Sequence, residues 1–296
     1  MPIVAEFEYV KPKDLEEALR VLSLHMETAK VLAGGTDLIV HLKKNLIRPE
    51  VVVDLKGVSG LDKINFKKGV LSVGSLVTFA QLIDSPLVGK YCPLLREAVG
   101  TVASTGVRNR ATMAGNLCSA VPSADSAPVL AVYDAAILVK SLRGERRISI
   151  HNWFAGPKKT ALACDELVLA VELALPEPKT GGCYAKLSRY EGEDLAQGGI
   201  AVLALAGGAF RVAACALGPK PARCPQTEAV LNGDKLSAGL IAKAKETLLR
   251  EISPITDLRS TKEYRSHMAA VMLGRALEAA VSRLSGGGPK YGESVI

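Results

Sequence analysis

Apolar residues recur along this chain in two rhythms. Leu15, Ala18, Leu19 and Leu22 keep a helical period, with Pro12 and Asp14 ahead of them as a start signal. They predict an amphipathic helix ending near His25. Val31 and Leu32 then read as a short buried strand running straight into Gly34-Gly35. Helical spacing returns at Leu38, Ile39, Leu42 and Leu46, so a strand, a glycine turn and a helix follow one another. Further strands are expected over 51–55 and 70–73, and Thr78 is placed to cap a helix through Leu82. From 98 to 124 the period fades into Gly, Ser, Thr, Asn and Ala, which predicts a long structured loop of functional kind. A helix over 126–134 and a strand over 136–142 follow.

The stretch 176–182 (PEPKTGG) reads as a linker. Beyond it the order changes. Strands are expected over 184–188, 200–205 and 210–217, the last two joined by a Gly207-Gly208 turn. Helices are expected near 227–231, 238–251 and 262–284. Strands first and helices after predict an α+β domain. The tail after Ser285 reads as flexible, or as ordered only on a partner.

The bulk properties remove several classes. The net charge is +7 with a pI near 9.0, but the basic residues are scattered, as at Lys43-Lys44, Lys67-Lys68 and Arg143 to Arg147. With aromatics at 4%, no basic and aromatic stripe is available for nucleic acid. There is no basic start followed by an apolar stretch, and no run of the roughly 20 apolar residues a membrane span needs. A cytoplasmic protein without a membrane span is expected. The six cysteines include no C-x-x-C pair, so no local zinc or iron–sulfur site is expected and they read as mostly buried, reduced thiols.

Three segments carry candidate chemistry. Glycines in Ala33-Gly34-Gly35-Thr36-Asp37 let backbone amides approach a phosphate, although Gly-Gly alone equally marks a tight turn with Thr36 as a cap. The run from Arg108 to Asn116 offers small residues, hydroxyls and amides, and Asp125 follows nine positions later. Lys186 is a charged residue inside a strand-like segment, with Arg189 and Asp194 near it. Taken alone it fits an exposed strand position equally well. No Ser/His/Asp or Cys/His arrangement is spaced for catalysis, and His25, His41, His151 and His267 read as surface or packing residues. No catalytic side chain is expected.

Together these segments resemble a known family. The pattern Val31-Leu-Ala-Gly-Gly-Thr-Asp-Leu38, then Arg108-Asn-x-Ala-Thr-x-x-Gly-Asn116, then Pro122-Ser-x-Asp-Ser-x-Pro-x-Leu130, is similar to the FAD-binding subunits of molybdenum hydroxylases, the family of xanthine dehydrogenase and carbon monoxide dehydrogenase. The likeness continues through Asp165-Glu-Leu-Val-Leu169, Lys186-Leu-Ser-Arg189, Asp257-Leu-Arg259 and Tyr264-Arg265.

The resemblance implies an α+β architecture. An FAD-binding domain of the vanillyl alcohol oxidase-like (PCMH) type would span 1–176, in subdomains of about 1–56 and 57–176. A smaller α+β domain with a three-stranded antiparallel sheet would span 183–285, leaving 286–296 as a flexible tail. It implies that the FAD pyrophosphate lies between two loops, Leu32, Ala33, Gly34, Gly35, Thr36 and Asp37 on one side and Thr112, Ala114, Gly115 and Asn116 on the other. Asp125 would face the adenosine end, Val102 and Val168 would touch the cofactor, and Lys186 would stand at the pyrimidine edge of the flavin ring. Where the family usually has two glycines before its Asn, this chain has Ala114, which matters only if that position needs positive φ. Asp37 is expected to turn its carboxylate away from the phosphate and cap the following helix. Partners would be an iron–sulfur small subunit with 2Fe–2S clusters and a molybdopterin large subunit, in a dimer of heterotrimers, with NAD or another acceptor. Two other readings compete: a stand-alone FAD oxidase of the vanillyl alcohol oxidase type, and a flavin-free scaffold subunit.

Overall fold

The computed structural model describes residues 3–176, 180–190 and 194–296. The middle of the expected linker, 177–179, lies outside the described residues, and its last part, from Thr180, is already strand.

Residues 3–57 form a small α/β unit. It runs β1 (Glu8–Val10), α1 (Leu15–His25), β2 (Ala29–Leu32), α2 (Leu38–Lys43) and β3 (Val51–Asp54). The strands pair in parallel in the order β1-β3-β2. Asp14 caps α1 by accepting from the Glu17 amide at 2.9 Å, and Ala18, Leu19 and Leu22 bury against the sheet as the spacing predicts. Helix α2 is shorter than expected: Asn45, at φ 55, turns the chain before Leu46, which is left exposed.

The second unit is a five-stranded sheet carrying helices on one face. It contains β4 (Ile64–Lys67), β5 (Val70–Gly74), α3 (Phe79–Asp84), α4 (Pro86–Tyr91), α5 (Pro93–Gly100), α6 (Thr105–Arg108), α7 (Met113–Ser119), α8 (Ser126–Val132), β6 (Ala136–Ser141), β7 (Gly144–Ser149), α9 (Ile150–Trp153), β8 (Phe154–Gly156), β9 (Lys159–Thr160) and β10 (Leu167–Ala174). The order β4-β5-β10-β6-β7 puts β10 at the centre, antiparallel to both neighbours. The expected long loop is instead a series of short helices, each started by a side chain. Ser104 accepts from the Val107 amide, and Thr112 accepts from the Gly115 amide at 3.0 Å.

The third unit contains β11 (Thr180–Leu187), β12 (Gly198–Leu205), β13 (Phe210–Cys215), β14 (Ala222–Arg223), α10 (Pro225–Leu231), α11 (Ala238–Glu251) and α12 (Lys262–Leu284). Its antiparallel sheet has four strands, not three, because Ala222–Arg223 adds to β13. Both faces of this sheet are covered, which is why β12 is apolar at successive positions. Cys183, Ala185, Ile200, Val202 and Val212 pack on the side of α11 and α12. Tyr184, Ala201, Leu203 and Ala213 point the other way, into a core shared with α5 and α8. Four ion pairs among the described residues cross between the second and third units: Lys186–Asp125, Arg283–Glu97, Arg211–Asp134 and Arg223–Asp134.

The tail beyond Ser285 is held against the body. The Arg283 guanidinium lies 4.2 Å from the centre of the Tyr291 ring, and Tyr291 Oη accepts from the Gly182 amide at 3.0 Å. Among the described residues, no helix is long and apolar enough to cross a membrane, and no group of three or more His, Cys, Asp or Glu is placed to hold a metal. Four of the six cysteines are buried, while Cys118 and Cys164 are exposed.

Candidate cofactor site

The two loops singled out in the sequence meet. A Cβ added at Gly34 would stand 2.0 Å from the Arg110 carbonyl oxygen, so only a glycine lets the first turn lie against the backbone that leads into α7. Gly35 takes φ +78, and the chain turns there from β2 into α2. Among the described residues, the amides of Gly34, Gly35, Thr36 and Asp37 have no acceptor. Four consecutive N–H groups on a half-exposed turn are thus left without a protein acceptor. Leu32 and Ala33 lead into that turn, and Leu32 folds its side chain back towards Gly35.

Asp37 does not cap α2. Its carboxylate instead accepts from the Ser119 hydroxyl at the far end of α7, tying the two loops together and occupying the charge. On the facing side, Thr112, Ala114, Gly115 and Asn116 form the start of α7 rather than a free loop. Ala114 is helical and buried and is not among the positive-φ residues, so alanine fits there without strain. Helix α7 is fixed from below by the buried Trp153 indole, which donates to the Leu117 carbonyl at 2.9 Å. Asn116 Oδ1 accepts from Ser126 at 2.8 Å, which places Asp125 beside this loop.

Asp125 and Lys186, 61 residues apart in sequence, come together. Lys186 Nζ donates to Asp125 Oδ2 at 3.1 Å and to the Thr101 carbonyl at 2.7 Å. The other carboxylate oxygen of Asp125 accepts from Tyr184 Oη at 2.7 Å. Both side chains are 7% exposed. Burial pushes the Asp125 carboxyl above its ordinary value, and the Lys186 charge and the Tyr184 hydroxyl oppose that rise. Burial likewise raises the Tyr184 phenol, with the Asp125 charge adding to the effect.

Strand periodicity explains the cluster. Tyr184 and Lys186 are two apart on β11, so both project towards α5 and α8. Opposite them, Gly199 has no side chain, and a Cβ there would meet the Tyr184 hydroxyl at 2.5 Å. Tyr184 was not singled out in the sequence, although its spacing of two from Lys186 could have found it; Thr101 and Ser119 act through a carbonyl and a distant hydroxyl and left no signal. Val102 is adjacent to Thr101, and its carbonyl accepts from Arg108 at 2.9 Å. Val168 is different: its side chain is buried in the central core, at the irregular register of β10 against β6. A cavity of about 900 Å³ opens beside Lys186, lined also by Gly100, Thr101, Tyr184 and the tail from Tyr291 to Ile296.

A parallel α/β unit, a helix-covered sheet and a turn of free amides where their loops meet are compatible with a domain that binds a dinucleotide. The model of the FAD-binding domain in molybdopterin dehydrogenases matches residues 5–177, and that of the carbon monoxide dehydrogenase flavoprotein C-terminal domain matches 183–280. The chain belongs to this family of FAD-binding, medium-size subunits of molybdenum-containing oxidoreductases. It is 31% identical over 94% of its length to the xanthine dehydrogenase FAD-binding subunit of Escherichia coli O157:H7, 97% of which is covered. It is 31% identical over 94% of its length to the caffeine dehydrogenase subunit beta of a Pseudomonas species, with 96% of that chain covered. Among solved structures, the carbon monoxide dehydrogenase of Hydrogenophaga pseudoflava lacking the Mo-pyranopterin moiety of its cofactor superposes with a TM-score of 0.91 at 30% identity, covering 96% of this chain and 99% of that one.

Proposed function

We propose that the chain holds one FAD without a covalent bond and relays electrons within a molybdenum hydroxylase complex. In this reading the amides of Gly34 to Asp37 and the start of α7 bind the pyrophosphate. Lys186, held by Asp125 and Thr101, stands at the ring. The flavin supplies the exchange between one-electron donors and a two-electron acceptor. Electrons come from 2Fe–2S clusters of a small partner subunit, which receives them from a molybdopterin large subunit, and leave to NAD or another acceptor. The complex is a dimer of heterotrimers in the cytoplasm. The relatives are named for xanthine, caffeine and carbon monoxide, which supports a substrate pocket in another chain.

The residues of this chain bind and orient. Thr112 and Trp153 fix α7, while Asp37 and Ser119 join the two loops. Asp125 holds the Lys186 ammonium at a set position, where it favours negative charge arriving on the ring. The observation that carries the reading is the run of four unpaired amides at the meeting of the two loops.

The test is flavin content. The chain purified with its partners should release FAD completely on acid precipitation, and flavin left on the protein refutes non-covalent binding. Gly35→Val should abolish FAD binding, whereas Gly207→Val should keep it. The two sites have similar strain, at φ +78 and +90, but Gly207 lies on a distant hairpin. Equal loss of FAD at both sites refutes the loop assignment.

A further inference from the structure

Arg283, near the end of α12, makes four hydrogen bonds and a further ion-pair contact with its guanidinium. Nε donates to the Pro289 carbonyl at 2.9 Å, and Nη2 donates to the Lys290 carbonyl at 2.8 Å. Nη1 donates to the Gly182 carbonyl at 2.7 Å and to Glu97 Oε1 at 3.1 Å, and Nη2 also reaches Glu97 Oε2 at 2.9 Å. Glu97 comes from α5, in the other half of the molecule. It accepts besides from the amides of Tyr184, at 2.7 Å, and Gly292, at 2.9 Å. The pair is buried, with 3% and 5% of the two side chains exposed.

A buried pair of this kind is costly unless its donors and acceptors are engaged, and here four guanidinium N–H groups and both carboxylate oxygens are. Two of the groups it satisfies belong to β11, which carries Lys186. Three belong to the last eight residues of the chain. The same pair therefore fixes the strand on one side of the 900 Å³ cavity and the tail on the other. Tyr291 reinforces this by stacking on Arg283 and bonding to Gly182.

We propose that residues 289–296 are a strap, latched by Glu97 and Arg283, that closes the Lys186 cavity over the ring of the bound cofactor and keeps small solutes away from it. This rests on the assignment of the ring to that cavity. Removing the strap leaves Lys186, Asp125 and both loops untouched, so it should change access without removing the site.

Two variants of the complete complex test it: a chain ending at Gly288, and Tyr291→Ala, which keeps the length and loosens the latch. Iodide quenching of flavin fluorescence and the rate of FAD loss on dilution should both rise several-fold in each variant. Unchanged quenching and unchanged FAD loss overturn the strap. If the shortened chain fails to assemble, Tyr291→Ala decides alone. If the parent complex holds no FAD, the proposed function fails, and the strap is judged by exchange of the Gly292 amide in the full chain. Protection lost on Tyr291→Ala supports a strap, and an amide unprotected in the parent overturns it.

Discussion

Replacing Lys186 with Met keeps the length of the side chain and removes its charge. Two charge-assisted contacts disappear, to Thr101 at 2.7 Å and to Asp125 at 3.1 Å. The larger consequence falls on Asp125, which is left buried without its counter-charge. Breaking a buried pair in this way costs about 3–5 kcal/mol when the orphan stays ionised. Asp125 keeps its bond from Tyr184 and can take up a proton, so the expected loss is about 2–4 kcal/mol at neutral pH. The sign with pH follows. The carboxyl is already raised above its ordinary 3.8 by burial, and without Lys186 it rises further. The folded form then binds the proton that the unfolded form has released, so stability falls as pH rises between the unfolded and folded values. Urea unfolding of the FAD-free chain should show a deficit that is larger near pH 8 than near pH 5.5. The double variant Lys186→Met/Asp125→Asn should recover at least about 1 kcal/mol relative to the sum of the single changes. Additive losses, or a pH-independent deficit, would refute a functioning ion pair. The flavin potential should also respond. A lone ammonium contact of about 1.5–3 kcal/mol corresponds to roughly 30–65 mV for a two-electron couple. Where Asp125 takes up a proton as the ammonium is lost, one charge change offsets part of the other, so Lys186→Met should lower the potential by less than about 30 mV.

Gly34→Ala should cost about 3 kcal/mol in urea unfolding and abolish FAD binding in a fluorescence titration, because its Cβ would meet backbone at 2.0 Å. Arg265→Met should cost about 3 kcal/mol, because the buried guanidinium joins Asp257 at 2.6 Å to the Gln197 carbonyl at 3.0 Å; a loss below about 1 kcal/mol by thermal or urea unfolding would show that these bonds are dispensable. Glu166 is held below its ordinary value by the Arg146 guanidinium and by the Ala163 amide, against the effect of burial. Its contribution is present above the unfolded value of 4.5 and is lost as pH falls through the lower folded value, so the acid limb of the stability profile should flatten in Glu166→Gln.

The elements that were legible in the sequence are those whose packing leaves a period. Helices α1, α11 and α12 each bury one stripe, and their expected bounds match. β10 was missed as a strand because its run LVLAVELA lies at the centre of its sheet and shows little alternation. The segment 98–124 read as loop because α6 and α7 are four and seven residues long, too short for a period, and are started by Ser104 and Thr112 rather than by apolar spacing. Glycines and hydroxyls pointed to both of the loops that meet in the fold, since turn chemistry is local. The partnership of Asp125 with Lys186 was not legible, because 61 residues separate them and each alone has an ordinary surface explanation.

The four ion pairs between the second and third units have one polarity. Every acid, at Glu97, Asp125 and Asp134, lies in the first 176 residues, and every base, at Lys186, Arg211, Arg223 and Arg283, lies beyond the linker. At these four pairs the two faces of the joint are thus complementary in charge, acid on one side and base on the other. Produced as separate polypeptides, they should recognise one another through these short-range pairs and not through long-range attraction. Once joined, the two buried pairs are shielded from salt and should hold the halves together where the exposed Asp134 pairs no longer contribute. A hybrid made from the front half of one relative and the back half of another would then assemble only if both parents keep that polarity.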